Sequence, residues 1–271
     1  MEEKLTLLTE GQVWSTDKEE KLDIFKKYGS ECEITDLAII TGATVCDYEK
    51  RDNHITNIHG FYWTQTITEQ GEIIGGYGYD DKKVLINPFE GRAVIRPVFP
   101  IPDSLKDKIE TDEIELGEYP QTIADKNTNT ILEMLCYGNF LPVGGKSYML
   151  NDEKYNFSQC LDYPTYQYEG KKYVRVILNS MKKQRLSDGE YYQPKQFVWV
   201  EVSPVKWLVD KKSGLLISKK GLVSGVRFNR LLPDKFKDTD IKEYLEENMF
   251  EDLFSGLDFE IEEKGFQKTL K

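Results

Sequence analysis

The chain has 271 residues, enough for one large domain or two ordinary ones. Hydrophobic residues at 39% and charged residues at 31% describe a globular chain and exclude a disordered one. A net charge of −11, from 36 Lys+Arg against 47 Asp+Glu, argues against direct nucleic-acid binding, which needs a basic stripe to meet phosphate.

The opening stretch MEEKLTLLTEGQVWSTDKEEK lacks a positive segment followed by an apolar core, so no signal peptide is expected. No run approaches the roughly 20 apolar residues of a membrane span, and a cytoplasmic protein is expected. Thr16 and Glu19 have capping-box spacing. They lead into a helix over KEEKLDIFKKYG, with Leu22, Ile24, Phe25 and Tyr28 on one arc and Gly29 as its stop. ITDLAIITGAT is a compact apolar run, either a helix turn or a strand. NIHGFYWTQTI reads as strand, followed by turns at Gly75, Gly76 and Gly78 and by two more strands, KKVLINP and GRAVIRPVFPIP. Pro97, Pro100 and Pro102 then end the sheet pattern.

SLKDKIETDE reads as a linker, which divides the chain into a unit over 1–103, a linker over 104–112 and a second unit over 113–271. IELGEYPQT is a strand and turn. NTNTILEMLCYG is a short helix with Ile131, Leu132, Leu135 and Cys136 inward. KKYVRVILNS, QFVWVEV, VKWLVD and GLLISKK form an antiparallel meander in which Trp199 and Trp207 belong to the core. The stretch 178–196 is polar and expected to be exposed. DTDIKEYLEENMFEDLF is an amphipathic helix, capped by Asp238 or Thr239, with Ile241, Leu245 and Met249 on one stripe. The fold class is α+β, mostly antiparallel sheets with a few amphipathic helices.

The chemistry-bearing residues form no catalytic constellation. GGKSY at 144–148 lacks the preceding glycine of a phosphate loop, since Phe140 stands at that position and Gly138 is out of register. A Gly-Gly turn is expected there. His54 and His59 lie near Cys46, Asp47 and Asp52, but no second Cys/His cluster closes a zinc shell. Calcium held by loop carboxylates around Asp80, Asp81 and Asn87 is an alternative, without the spacing of an EF-hand loop. The carboxylate pairs Asp80–Asp81, Asp152–Glu153 and Glu246–Glu247 read as solvated charge. Cys32, Cys46, Cys136 and Cys160 show no CxxC spacing and read as reduced core thiols. No cofactor and no metal is expected. What remains is aromatic: 16 Tyr and 13 Phe, with Phe61-Tyr62-Trp63, Tyr77, Tyr79, Tyr191 and Tyr192 beside Gly-rich or polar loops.

IHGFYWTQT followed by GRAVIRPVF resembles the closing half of bacterial C-type-lectin-like domains, which are related in fold to formylglycine-generating enzymes. IELGEYPQT, VSPVKWLVDKKSGLLISKKGLVSGVRFN and IKEYLEENMFEDLF resemble the opening half of a large bacterial family with that fold. Here the two halves stand in permuted order. The resemblance implies a C-type-lectin-like core. Its oxidase members use a paired-cysteine copper site, which no two cysteines here match. The sugar-binding strings Glu-Pro-Asn, Gln-Pro-Asp and Trp-Asn-Asp do not occur.

These observations point to a non-enzymatic binding protein that engages another protein through Tyr62, Trp63, Tyr77, Tyr79, Asp80, Asp81, Tyr191 and Tyr192. A special case is a phage- or mobile-element-encoded inhibitor of a nucleic-acid-targeting defence protein, with the −11 charge suited to a basic groove. The alternatives are a metal-dependent or hydrolytic enzyme using the 47–59 loop with Asp80 and Asp81, and a carbohydrate-binding module.

Overall fold

The computed structural model describes residues 4–51, 54–136, 144–149, 160–254, 261–262 and 265–266. Within these, the side chains of 47–51, 54–56, 144–149, 160–163, 261–262 and 265–266 are not described.

The first helix, α1 (Glu10–Trp14), starts at a capping box the sequence reading passed over: the Gln12 amide donates to Thr9 Oγ1 at 3.1 Å and the Thr9 amide to Gln12 Oε1 at 2.8 Å. The expected box at Thr16 does not form. Asp17 instead accepts from the Glu19 amide and closes a turn, and α2 (Asp23–Tyr28) begins only after it. Leu22, Ile24 and Phe25 are buried as expected, while Tyr28 is exposed. Gly29, at φ 72°, ends the helix with its amide on Phe25 O. Next come β1 (Glu33–Ile34) and α3 (Asp36–Ile40), the latter capped by Thr35, whose Oγ1 accepts from the Ala38 amide at 3.1 Å. β2 (Val45–Arg51) and β3 (His54–Gly60) form a hairpin. β4 (Ile73–Gly76) and β5 (Lys83–Ile86) form another, and β6 (Val98–Pro100) and α4 (Asp103–Lys106) close the first hundred residues.

Beyond them lie β7 (Glu113–Ile123), α5 (Lys126–Cys136), β8 (Gly144–Met149), β9 (Cys160–Tyr168) and β10 (Lys171–Ile177). The short hairpin β11 (Gln184–Arg185) and β12 (Tyr191–Tyr192) precedes β13 (Phe197–Asp210), β14 (Leu215–Ser218) and β15 (Lys220–Gly221). A helical run follows: α6 (Asp240–Tyr244), a π turn (Leu245–Met249) and α7 (Phe250–Phe254). Thr239 caps it, and Ile241, Leu245 and Met249 are wholly buried. Residues 261–262 and 265–266 pair as β16 and β17.

The fold is α+β with predominantly antiparallel sheets. One sheet has seven strands in the order β6-β14-β13-β10-β9-β8, with β7 on β13. QFVWVEV and VKWLVD, expected as separate strands, are the single strand β13. Pro204 is accommodated there by register shifts between Glu201 and Val202 and between Pro204 and Lys206. Gly144 and Gly145, expected as a turn, lie in β8 paired with β9. A second sheet has the order β15-β1-β3-β2, with β1 parallel to β15.

The core does not divide at 104–112. β6 from the first hundred residues pairs with β14, β1 pairs with β15, and Ile95 bridges to Val223. Leu5, Ile39, Trp63, Val94, Trp207, Val223, Leu245 and Phe254 all belong to one buried cluster. Both expected units therefore contribute strands to the same sheets. Among the described residues, no helix is long and apolar enough to cross a membrane.

Candidate functional site

α5 lies across the start of β13. Asp125 begins it, accepting from the Asn127 and Thr128 amides at 3.0 and 3.1 Å and from the Thr128 hydroxyl at 2.6 Å. Those hydrogen bonds, the Thr128 hydroxyl foremost, hold the Asp125 carboxyl below its usual range. Of the four side chains expected to face inward, only Leu132 is fully buried, in a small core with Ala124, Tyr173 and Trp199. Leu135 and its neighbour Met134 are exposed.

Glu133 fastens the helix to the sheet. It takes the Arg175 fork (Nε to Oε2 at 3.0 Å, Nη2 to Oε1 at 2.6 Å) and the Trp199 indole N–H at 3.0 Å. The Asn129 side chain accepts at Oδ1 from the Trp199 backbone amide at 3.2 Å. The Arg175 guanidinium also lies 3.7 Å from the centre of the Phe197 ring, which fixes that ring at the mouth of β13.

Opposite α5 stands the β11–β12 hairpin. The stretch 178–196 was expected to be exposed, yet Leu178, Leu186 and Tyr192 are buried. Asp36 anchors the hairpin: its Oδ1 accepts from the Ser187 amide at 2.8 Å, and its Oδ2 accepts from the Ser187 hydroxyl at 2.5 Å and the Ile123 amide at 2.8 Å. Burial pushes the Asp36 carboxyl up despite these donors, and the nearby Asp188 adds to the effect. The two tyrosines of β12 alternate. Tyr192 turns in and donates to Asp188 at 2.6 Å, and burial with that carboxylate pushes its phenol up. Tyr191 turns out, 55% exposed, with Lys183 Nζ 4.5 Å and the Arg185 guanidinium 5.7 Å from its ring centre.

Between α5 and this hairpin runs an open groove of about 490 Å³. Its exposed apolar lining is Met134, Tyr191 and Phe197. Its polar lining includes Lys126, Asn129, Thr130, Glu190 and Gln196. The volume falls in the range of ligand sites, and the walls are held by hydrogen bonds rather than by loose loops.

The other expected contact residues lie elsewhere. Tyr62 and Trp63 are core residues and are corrected accordingly. Tyr62 stacks on Trp14 at 6.1 Å and donates to Ser30 O at 3.0 Å, and Trp63 packs on Phe228 at 5.4 Å. The segment bridges to Gly76 and Val94 along its two edges. Both rings of the adjacent pair are buried because each is covered, Tyr62 by Trp14 and Arg96 and Trp63 by Phe228. Gly76 makes room for the Tyr62 ring, since a Cβ there would stand 1.9 Å from Tyr62 Cε1. Tyr77 is half-buried, edge-on to Phe61 at 5.2 Å; Tyr79 is exposed, against His59 at 5.7 Å. Asp80 pairs with Lys82 and Asp81 is exposed. None of residues 77–81 lines the groove.

Among the described residues no three Cys, His, Asp or Glu side chains gather to hold a metal ion. His59 is buried. The side chains of Asp47 and His54, and Asp52, Phe140, Gly138, Asp152 and Glu153 altogether, lie outside the described residues. Cys32 is buried and Cys46 and Cys136 are half-buried, all three as thiols outside any disulfide among the described residues, and the Cys46 thiol donates to Tyr77 O at 2.9 Å. Sequence reasoning missed Glu133, Arg175, Phe197 and Asp36. No family model, curated protein or solved structure matches this chain.

Proposed function

We propose that this chain is a non-enzymatic protein-binding module, and that the groove between α5 and the β11–β12 hairpin receives an apolar side chain of its partner. The observation that carries the reading is the outward pairing of Tyr191 and Phe197, each backed by a cation, on walls fixed by Glu133 and Asp36. Rings held in this way present apolar area with little conformational freedom left to lose on binding, which favours a contact centre. Asn129, Thr130, Gln196 and Glu190 supply the polar rim.

The −11 net charge favours a partner with a basic surface, such as a nucleic-acid-handling protein, for which the charge steers encounter and the groove supplies the anchor. On this reading the protein works in the cytoplasm as an inhibitor or adaptor. The C-type-lectin-like reading of the core rests on the permuted motif strings and supports a scaffold whose loops carry binding. Fold alone does not assign a role.

The test is photo-crosslinking in host cells from a benzophenone amino acid at position 191, with a second probe at exposed Lys108 as control. A single stoichiometric protein cross-linked from 191 and absent from 108 supports the reading. Equal, heterogeneous products from both positions refute it.

A further inference from the structure

β5 is an open strand edge whose outward groups can be identified one by one. In the β4–β5 hairpin Ile73 opposes Ile86, Ile74 opposes Leu85, Gly75 opposes Val84 and Gly76 opposes Lys83. At its end the Tyr77 amide donates to Lys82 O at 3.0 Å, so the mutually bonded pairs are 77–82, 75–84 and 73–86. On the far side of β4 this alternation is met: the Gly76 amide donates to Tyr62 O at 3.0 Å and the Ile74 amide to Thr66 O at 3.0 Å. On β5 the corresponding groups belong to Lys83 and Leu85, and among the described residues neither backbone N–H nor C=O has a partner. The edge is also apolar: Leu85 is 61% exposed, and Phe89, Leu231 and Leu232 are exposed beside it. Asn229 bonds Pro88 O at 3.1 Å, and Leu232 lies over Gly71, which brings those side chains to the same end of the hairpin.

We propose that two copies of this chain pair edge to edge through β5, antiparallel about a twofold axis at Val84. Two outward residues separated by one position are self-complementary in this arrangement. Lys83 of each copy exchanges both hydrogen bonds with Leu85 of the other, and Val84 faces Val84. Charge favours the same occupant. Residues 77–92, the edge and its loops, carry Asp80, Asp81 and Glu90 against Lys82, Lys83 and Arg92 and sum to zero. With Glu10 reaching in to Lys83 the charge there stays near balance, whereas the chain as a whole is at −11. Lys83 is already paired with Glu10 at 2.6 Å and Lys82 with Asp80, so two copies meet here without like-charge repulsion. An apolar, neutral, unpaired edge is a surface that proteins otherwise block or cover. This pairing is independent of the α5 groove.

The experiment is disulfide trapping of the full chain combined with sedimentation across roughly 1–500 μM, a span that detects weak self-association. Val84→Cys places two thiols on a non-hydrogen-bonded pair whose Cα atoms stand about 4.5 Å apart, within disulfide reach. The expected result is a cross-linked dimer forming at least about tenfold faster for Val84→Cys than for Lys83→Cys, Leu85→Cys or the wild type with its native thiols. Leu85→Pro removes one outward N–H from each copy while leaving Val84 and Ile86 on β4, and is expected to weaken the dimer about tenfold or more. Leu85→Lys, which keeps the backbone, is the second variant and is expected to weaken it as well. A wild type that stays monomeric across the range overturns the proposal. So does equal trapping at 83, 84 and 85, or a dimer indifferent to both Leu85 variants.

Discussion

Asp36 and Ser187, 151 positions apart in the chain, are joined by two hydrogen bonds to one buried carboxylate: amide to Oδ1 at 2.8 Å and hydroxyl to Oδ2 at 2.5 Å. The same carboxylate accepts from the Ile123 amide, so one side chain ties α3 to β7 and to the hairpin that walls the groove. Asp36→Ala strips the buried Ile123 amide and the part-buried Ser187 amide and hydroxyl of their acceptor. A loss of about 2–5 kcal/mol follows, measured by urea unfolding. Amide exchange over 184–192 is expected to speed up more than exchange in β13. An unchanged hairpin would mean that Leu178 and Leu186 hold it unaided.

The pH dependence of that residue has a definite sign. Burial raises the folded-state pKa of Asp36 above its unfolded value near 3.9. In the window from that value upward to the folded pKa, the native state holds more protons than the unfolded state. The contribution of Asp36 to stability is therefore greatest at low pH and is lost as pH rises through the folded pKa. The stability of the wild type minus that of Asp36→Asn is expected to grow as pH falls from 7 toward about 4. Urea titrations of both proteins measure it, and a difference that is flat or shrinks on acidification contradicts the assignment.

At the groove, stability and binding are expected to separate. Tyr191→Ala removes an exposed ring and is expected to change stability by less than about 0.5 kcal/mol, since it leaves the Asp36 anchor and the buried Tyr192 in place. Its partner affinity is expected to fall by about 1–3 kcal/mol, tenfold or more, in calorimetry with the cross-linked partner. Phe197→Ala is expected to match it in binding. An unaltered affinity in both variants removes the groove from the interface.

Glu133→Gln removes the negative charge beneath Arg175 and Trp199. A loss of about 1.5–3 kcal/mol is expected, because Arg175 is only partly exposed and its fork is bidentate. In a double-mutant cycle with Arg175→Ala the two changes are expected to be non-additive by about 1 kcal/mol or more. Additivity would show that the pair does not act as a unit.

Gly76 and Gly170 separate two reasons for glycine. At Gly76 an added methyl meets the buried Tyr62 ring at 1.9 Å, and Gly76→Ala is expected to destabilise by about 2–4 kcal/mol through overpacking. Gly170, at φ 79°, has open space around it, so Gly170→Ala is expected to lose only about 1 kcal/mol from its left-handed backbone. Thermal melts of the two variants provide the comparison.

Periodicity carried much of the fold. Ile241, Leu245 and Met249, spaced four residues apart, form a stripe that is wholly buried, and the alternation around Trp199 and Trp207 placed both in the core. Period alone cannot say whether a strand is covered on one face or two. Tyr62 and Trp63 stand beside Gly-rich loops and are expected as contact residues, but both faces of their segment are covered, Tyr62 by Trp14 and Trp63 by Phe228. Tyr191 and Tyr192 are both expected as contact residues, but neighbours on a strand face opposite ways, and Asp188 with the distant Asp36 holds Tyr192 inward. Glu133, Arg175 and Trp199 come from three separate segments and meet only once the sheet has formed, so no local pattern announced the groove.

The weaving of early and late strands has a kinetic consequence. Glu33 lies in register with Lys220, and Lys242 reaches back to Leu5 O. Few of the first hundred residues can settle while the later ones are still inside a ribosome. Loop closures of this length also slow the search for the native pairing. The growing chain must keep Leu5, Val94 and Ile95 from foreign contacts until residues beyond 240 emerge. Folding is therefore expected to be largely post-translational and helped by chaperones that shield apolar segments.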